Sequence, residues 1–249
     1  MLLGFLVEQR IAANAFDRLE ADQIAQDAQR LRLGLESGVT LLHNYGATNS
    51  IWDSSFGDVA RSDEVGFLAD FSPHDLRTLY GLDGVLAVGP DGALRLGGLA
   101  EGDTYRRPPA GLISAPDLAR LFDATAQAGS GRCGVTSTSA GPYLFCGFAA
   151  HEDDGGSAIS GGLIYLKSLN GQGLESLGRQ LAVPLTLAAG TGSSSAGESS
   201  SGGATLIDSS IGRLQVRTHG VSSSRMLLEI TVPALGGSVR LQAVQPRHP

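Results

Sequence analysis

An α+β fold is what this sequence predicts, and three observations carry it. A proline-free stretch rich in Ala, Leu, Gln, Arg and Glu runs from Glu8 to about Tyr45, the composition of one long helix. Two later passages each read as a short helix followed by strand, turn and strand. Glycine, at 35 of 249 residues, points to many turns rather than stacked helices. The expected architecture is a long N-terminal helix, an antiparallel sheet with flanking helices, and extra C-terminal strands.

The start, MLLGFLVEQR, is apolar for only about seven residues. That is short of the roughly 20 that cross a bilayer, and a basic leader is missing. It reads as a helix tip or as the outer end of a transmembrane helix. Further along, Ile24, Ala28, Leu31, Leu35, Gly38, Leu42 and Tyr45 recur in steps of three and four, a heptad-like seam. A helix of about 38 residues would be roughly 57 Å long at 1.5 Å per residue, longer than a compact domain of this size needs. Residues 1–40 are therefore expected to act as a stalk or to form a homodimer, with packing on the chain's own sheet as the alternative.

In SPHDLRTLYGLDGVLAVGPDGALRLGGL, Pro73 opens a short helix to about Tyr80 and Gly81 ends it. GVLAV and ALRL then form a hairpin around PDG. SAPDLARLFDATAQAG repeats the logic, with Ser114 or Asp117 at the start, Leu118, Leu121 and Phe122 on one face, and Gly129 as the stop. GGLIYLKSL is an apolar strand, NGQGLESLGRQL a short helix and VPLTLAA another strand. Residues 191–204 read as a flexible Ser/Gly loop. IGRLQVRTHG, MLLEITVPAL and SVRLQAV supply strands within 205–249, which either extend the first sheet or make a second. The helix-plus-hairpin order describes a module of the PAS-like kind, a curved antiparallel sheet with helices on one face.

GRCGVTSTSAGPYLFCGF reads as a further hairpin. With the turn centred on Ser139 and Ala140, paired residue numbers sum to 279, so Cys133 faces Cys146. A disulfide is within reach there, and it would place the domain in an oxidising compartment; two buried free thiols are the other reading.

Most chemistry is unsupported. The net charge of −7 and the single lysine, Lys167, leave no basic stripe for nucleic acid. The five histidines show no paired spacing and neither cysteine sits in a CxxC, so neither a metal site nor a cofactor is expected. No GxSxG, HExxH, P-loop or dinucleotide fingerprint occurs. The serines at 193–195 and 199–201 fall in the flexible loop, and HEDD, His151 to Asp154, reads as a solvated hairpin tip. No enzyme is expected. A binding site is, with a cell-surface dimerisation or protein-interaction module that takes no small ligand as the alternative: Asn44, Tyr45, Asn49, Trp52, Asp53 and Phe56 gather aromatic and polar groups within thirteen residues of a chain with only 6% aromatics. Tyr80, Tyr143 and Phe145 are expected to complete a cavity between helix and sheet. The ligand-binding set is then Tyr45, Asn49, Trp52, Asp53, Tyr80 and Tyr143.

Asn49-Ser50-Ile51-Trp52-Asp53-Ser54-Ser55-Phe56 after a long helix, followed by YGLDGVLAVGPDGAL, resembles the CHASE4 extracellular sensor domains of bacterial receptors. Asn49, Ser54 and Phe56 stand where that pattern has an aromatic, a second acid and Tyr; Trp52 and Asp53 match. GPYLFCGFAA and SGGLIYLKSL are similar to the family's closing strands. The resemblance implies that residues 41–190 are a sensor domain on the periplasmic or outer face of the inner membrane. It also implies an unidentified small-molecule ligand, membrane helices on both sides, and an intracellular diguanylate cyclase, phosphodiesterase or histidine kinase output. QPRHP would lead into the second membrane helix.

Overall fold

The computed structural model describes residues 2–188, 204–222 and 225–246. Helix α1, Leu2–Asn49, has 48 residues and is about 72 Å long at 1.5 Å per residue. It passes residue 40 without a break. Its seam has a partner inside the chain: Ala28, Leu31, Leu35 and Leu42 are buried in the main core with Ile24 and Tyr45 against them. From Ile24 onward, self-packing uses the face that the heptad reading offered to a dimer.

Three helices follow. In α2, Asp53–Arg61, and α3, Glu64–Asp70, the chain makes two helices that periodicity did not signal. The Asp63 carboxylate accepts from the N–H groups of Val65 and Gly66 and starts α3. In α4, Pro73–Thr78, Ser72 is the cap and proline takes an early position. Strands β1, Gly84–Val88, and β2, Leu94–Glu101, form the expected hairpin, extended by β3, Thr104–Arg106. The helix expected to run to Gly129 is a single turn, α5, Ala115–Leu118. Beyond it the Asp123 carboxylate accepts from both the N–H and the hydroxyl of Thr125, a local turn that competes with helix. Leu121 and Phe122 still reach the core.

Strands β4, Arg132–Thr138, β5, Gly141–His151, and β6, Ile159–Ser168, complete a six-stranded antiparallel sheet in the order β3-β2-β1-β6-β5-β4. Cys133 pairs with Cys146 across β4 and β5, and their sulfurs are bonded. The sheet is covered on both faces rather than one. Leu144, Cys146, Phe148 and Ala150 of β5 turn toward α1. Tyr143 and Phe145 turn to the other face, where Leu112, Leu118, Leu121 and Phe122 cover them.

After α6, Gly171–Leu181, the chain builds a second sheet instead of extending the first. It contains β7, Leu185–Leu187, β8, Thr205–Ile207, β9, Leu214–Ser222, β10, Arg225–Ala234, and β11, Gly237–Pro246, in the order β7-β11-β10-β9-β8. The two sheets touch where the Leu235 N–H donates to the Val135 carbonyl at 2.8 Å. The predicted Ser/Gly loop lies outside the described residues except for Ala204.

Candidate functional site

The segment around Trp52 forms a corner. Asn49 Nδ2 donates to the Tyr45 carbonyl at 2.7 Å, and Ser55 Oγ donates to the carbonyls of Asn49 and Trp52 at 3.0 and 3.2 Å. Asp53 and Asp153 latch reciprocally: the N–H of each donates to Oδ1 of the other, at 3.0 and 2.9 Å. Ile51 makes a bridge with His151, whose N–H donates to the Ser50 carbonyl. The tip read as solvated therefore holds the end of α1 and the start of α2 on the sheet. Trp52 is 38% exposed at this corner and Asp53 is exposed.

Of the other expected ligand residues, Tyr45 and Tyr80 come together, with ring centroids 4.6 Å apart, and Tyr45 meets Tyr165 at 5.4 Å. Tyr143 does not join them. It is buried on the opposite face of β5, which corrects its place in the expected set. Burial pushes the Tyr45 hydroxyl well above the usual phenol range, helped by Tyr80, Asp70 and Asp75. Tyr105 and Tyr165 rise for the same main reason, so this wall stays neutral. Tyr105 donates to the Phe71 carbonyl at 2.6 Å. Tyr165 Oη, Asp58 Oδ2 and Asp70 Oδ2 are buried with no hydrogen-bond partner among the described residues. Burial raises the Asp58 pKa, and the carboxylates of Asp70 and Asp63 add to it against Arg61.

One turn along α1 from Tyr45 lies a cleft of about 440 Å³, within the range of small-molecule sites. Its walls are α1 at Gly34 to Leu41, the Gly81–Asp83 turn after α4, the end of β6 and the first turns of α6. Two glycines let these elements approach. A Cβ on Gly34 would lie 2.9 Å from Leu177 Cδ1, and one on Gly38 would lie 2.6 Å from Leu144 Cδ1. Arg77, Asp83, Lys167 and Gln172 line the cleft. Lys167 Nζ donates to the Gly81 carbonyl at 2.6 Å, and Asp83 Oδ2 accepts from the Ser168 N–H at 2.8 Å. Sequence reasoning missed this site because its residues come from α1, α4, β5, β6, α6 and the turn after α4, spread between Gly34 and Gln180. The lone lysine was the available signal.

The CHASE4 domain family matches residues 35–188, more than half of the chain and all of the first sheet with the C-terminal part of α1. The chain belongs to the CHASE4 family. As a CHASE4 domain it is an extracytoplasmic sensor domain of a signalling receptor. The fold of this CHASE4 protein is similar to the crystal structure of the periplasmic domain of Vibrio cholerae LuxQ. The TM-score is 0.54 at 14% identity, covering 89% of this chain and 99% of that one. A selenomethionine crystal structure of the same LuxQ domain gives 0.53 at 15%, covering 89% and 97%. At that identity the likeness concerns the fold, and it extends over both sheets. No curated protein matches. Among the described residues no helix is long and apolar enough to cross a membrane.

Proposed function

We propose that this CHASE4 domain is a non-catalytic ligand sensor that takes a small molecule into the cleft between α1, β6 and α6. Occupancy would change how α1 is held, and membrane helices would pass the change to an intracellular cyclase, phosphodiesterase or kinase. The observation that carries the reading is the position of the cleft: α1 is one of its walls, through Gly34, Ser37, Gly38 and Leu41.

The test is a thermal-shift screen with amino acids, amines, carboxylates and nucleobases, followed by hydrogen exchange on the hits. A ligand at about 100 times its Kd adds roughly 2.7 kcal/mol. We expect a saturable rise in Tm, with exchange slowed in residues 30–42 and in α6. Stabilisation by no compound class would sink the reading.

The homodimer belongs to the same proposal. Because the seam from Ile24 onward packs inside the chain, we assign the contact to the sequence before Leu19. Sedimentation velocity should show a dimer that becomes a monomer when residues 1–18 are removed, with the circular dichroism of both sheets retained. A dimer that survives the truncation would refute that placement.

A further inference from the structure

We propose that the ligand of this cleft is a small organic anion, whose carboxylate is held by Lys167 with help from Arg77 and the first turn of α6. The inference rests on the cleft being the ligand site and names the class of molecule it takes. It starts from Lys167, the only lysine in a chain of net charge −7. The side chain stands opposite Leu144 on the α1 face of the sheet, half-buried, and among the described residues its one hydrogen-bond partner is the neutral Gly81 carbonyl. An ammonium carries three donors, so two remain for another acceptor.

Several arginines elsewhere in the molecule are matched with carboxylates. Arg95 meets Asp91 at 2.8 Å, Arg179 meets Glu175 at 2.7 Å and Arg213 meets Asp208 at 3.0 Å. Lys167 has no carboxylate within 4.0 Å among the described residues. Asp83, the acid of this cleft, is engaged instead by the Ser168 N–H, with Arg77 Nε 4.0 Å from its other oxygen. Two cationic side chains thus share the cleft with one carboxylate that is already occupied.

The first turn of α6 adds to the same polarity. Asn170 precedes that helix but does not cap it: Oδ1 accepts from Ser168 Oγ and Nδ2 donates to the Ala140 carbonyl, both at 2.5 Å. The helix runs for 11 residues, and Gln172 and Gly173 of its first turn line the cleft. The Gly173 N–H is taken by the Asn170 carbonyl at 3.0 Å, so what this turn offers an anion is the Gln172 N–H and the positive end of the helix dipole. Leu41, Leu144 and Leu177 on the remaining wall suit a carbon skeleton better than an inorganic ion.

Isothermal titration of the whole chain with acetate, succinate, citrate and benzoate, beside their amides and at constant ionic strength, tests the class. At least one acid should bind and its amide should not. Lys167→Met should weaken that acid by roughly tenfold or more, as expected for a lost charge-assisted hydrogen bond, while Lys167→Arg keeps most of the affinity. Ser176→Leu, which adds bulk to the cleft wall on α6 and leaves Lys167 in the chain, should abolish binding even if Lys167→Met folds poorly. Amides that bind as well as acids, or acids indifferent to Lys167→Met, would overturn the proposal. A neutral or cationic compound excluded by Ser176→Leu would overturn the anion and leave the cleft as the ligand site. Failure of every class in both experiments removes both.

Discussion

Phe148→Ala is expected to lower stability by about 3–5 kcal/mol, the range for a buried aromatic truncated in a core, and to sit at its upper end. Phe148 is fully buried on the α1 face of β5. Its ring is clamped between two glycines: a Cβ on Gly46 would fall 2.2 Å from Cε2, and one on Gly131 would fall 2.3 Å from Cε1. Neither wall has a side chain that can swing into the space, so the cavity stays open. The ring also meets the edge of His43 at 5.5 Å and lies 6.2 Å from Tyr165, contacts that alanine loses. In urea the midpoint should fall while the slope holds, because the surface exposed on unfolding is nearly unchanged. Trp52→Ala, at the exposed corner, should cost clearly less. A Phe148→Ala loss below about 1.5 kcal/mol would mean that α1 can settle onto the sheet, and the rigid coupling assigned to α1 would fail with it.

That contrast shows what the sequence made legible. Sole tryptophan and dense aromatic neighbourhood drew attention to Trp52, yet the residues that fix α1 are two glycines and a phenylalanine whose relation exists only after folding. The elements with local signals were readable: α1 by its seam, the β1–β2 turn by PDG, and the β4–β5 register by the GPY break. Helices α2 and α3 were not, because DSSFGDVAR and EVGFLAD are too short for periodicity and depend on caps and tertiary packing. Tyr143 was within reach of a stricter argument. With side chains alternating along a strand, a Cys146 that faces α1 forces Tyr143, three residues earlier, to face away. The second sheet had no such handle, since β7 and β8 have three residues each and nothing local selects their partners. The cleft was hidden for the same reason: its cations come from α4 and β6, and its shape comes from glycines on α1.

Reduction of the Cys133–Cys146 bond is expected to cost about 3 kcal/mol, the chain-entropy value for a closed loop of about 15 residues, here with a sequence separation of 13. For a chain of this length each kcal/mol moves Tm by about 2–4 °C, so reduced protein should melt roughly 6–12 °C lower. The loss should not be uniform. β4 is the edge strand of the first sheet, and its Val135 carbonyl accepts the Leu235 N–H from the second. The bond ties that edge to β5 at Cys146, which is fully buried beside the Val39 carbonyl of α1. Releasing it should raise hydrogen exchange first in β4 and around Leu235, before the β1–β6 centre responds. The comparison is between oxidised and reduced wild type, with a Cys133→Ala/Cys146→Ala variant resembling the reduced form. Equal stability of the two redox forms would show that hairpin and α1 contacts alone hold β4, and that the oxidising compartment of an extracytoplasmic domain adds nothing to this fold. A loss confined to β4 and Leu235 would instead make the bond a local tie at this edge, with the C-terminal strands held to α1 independently by the shared core and by the Ser210 N–H that donates to Glu36 at 3.1 Å.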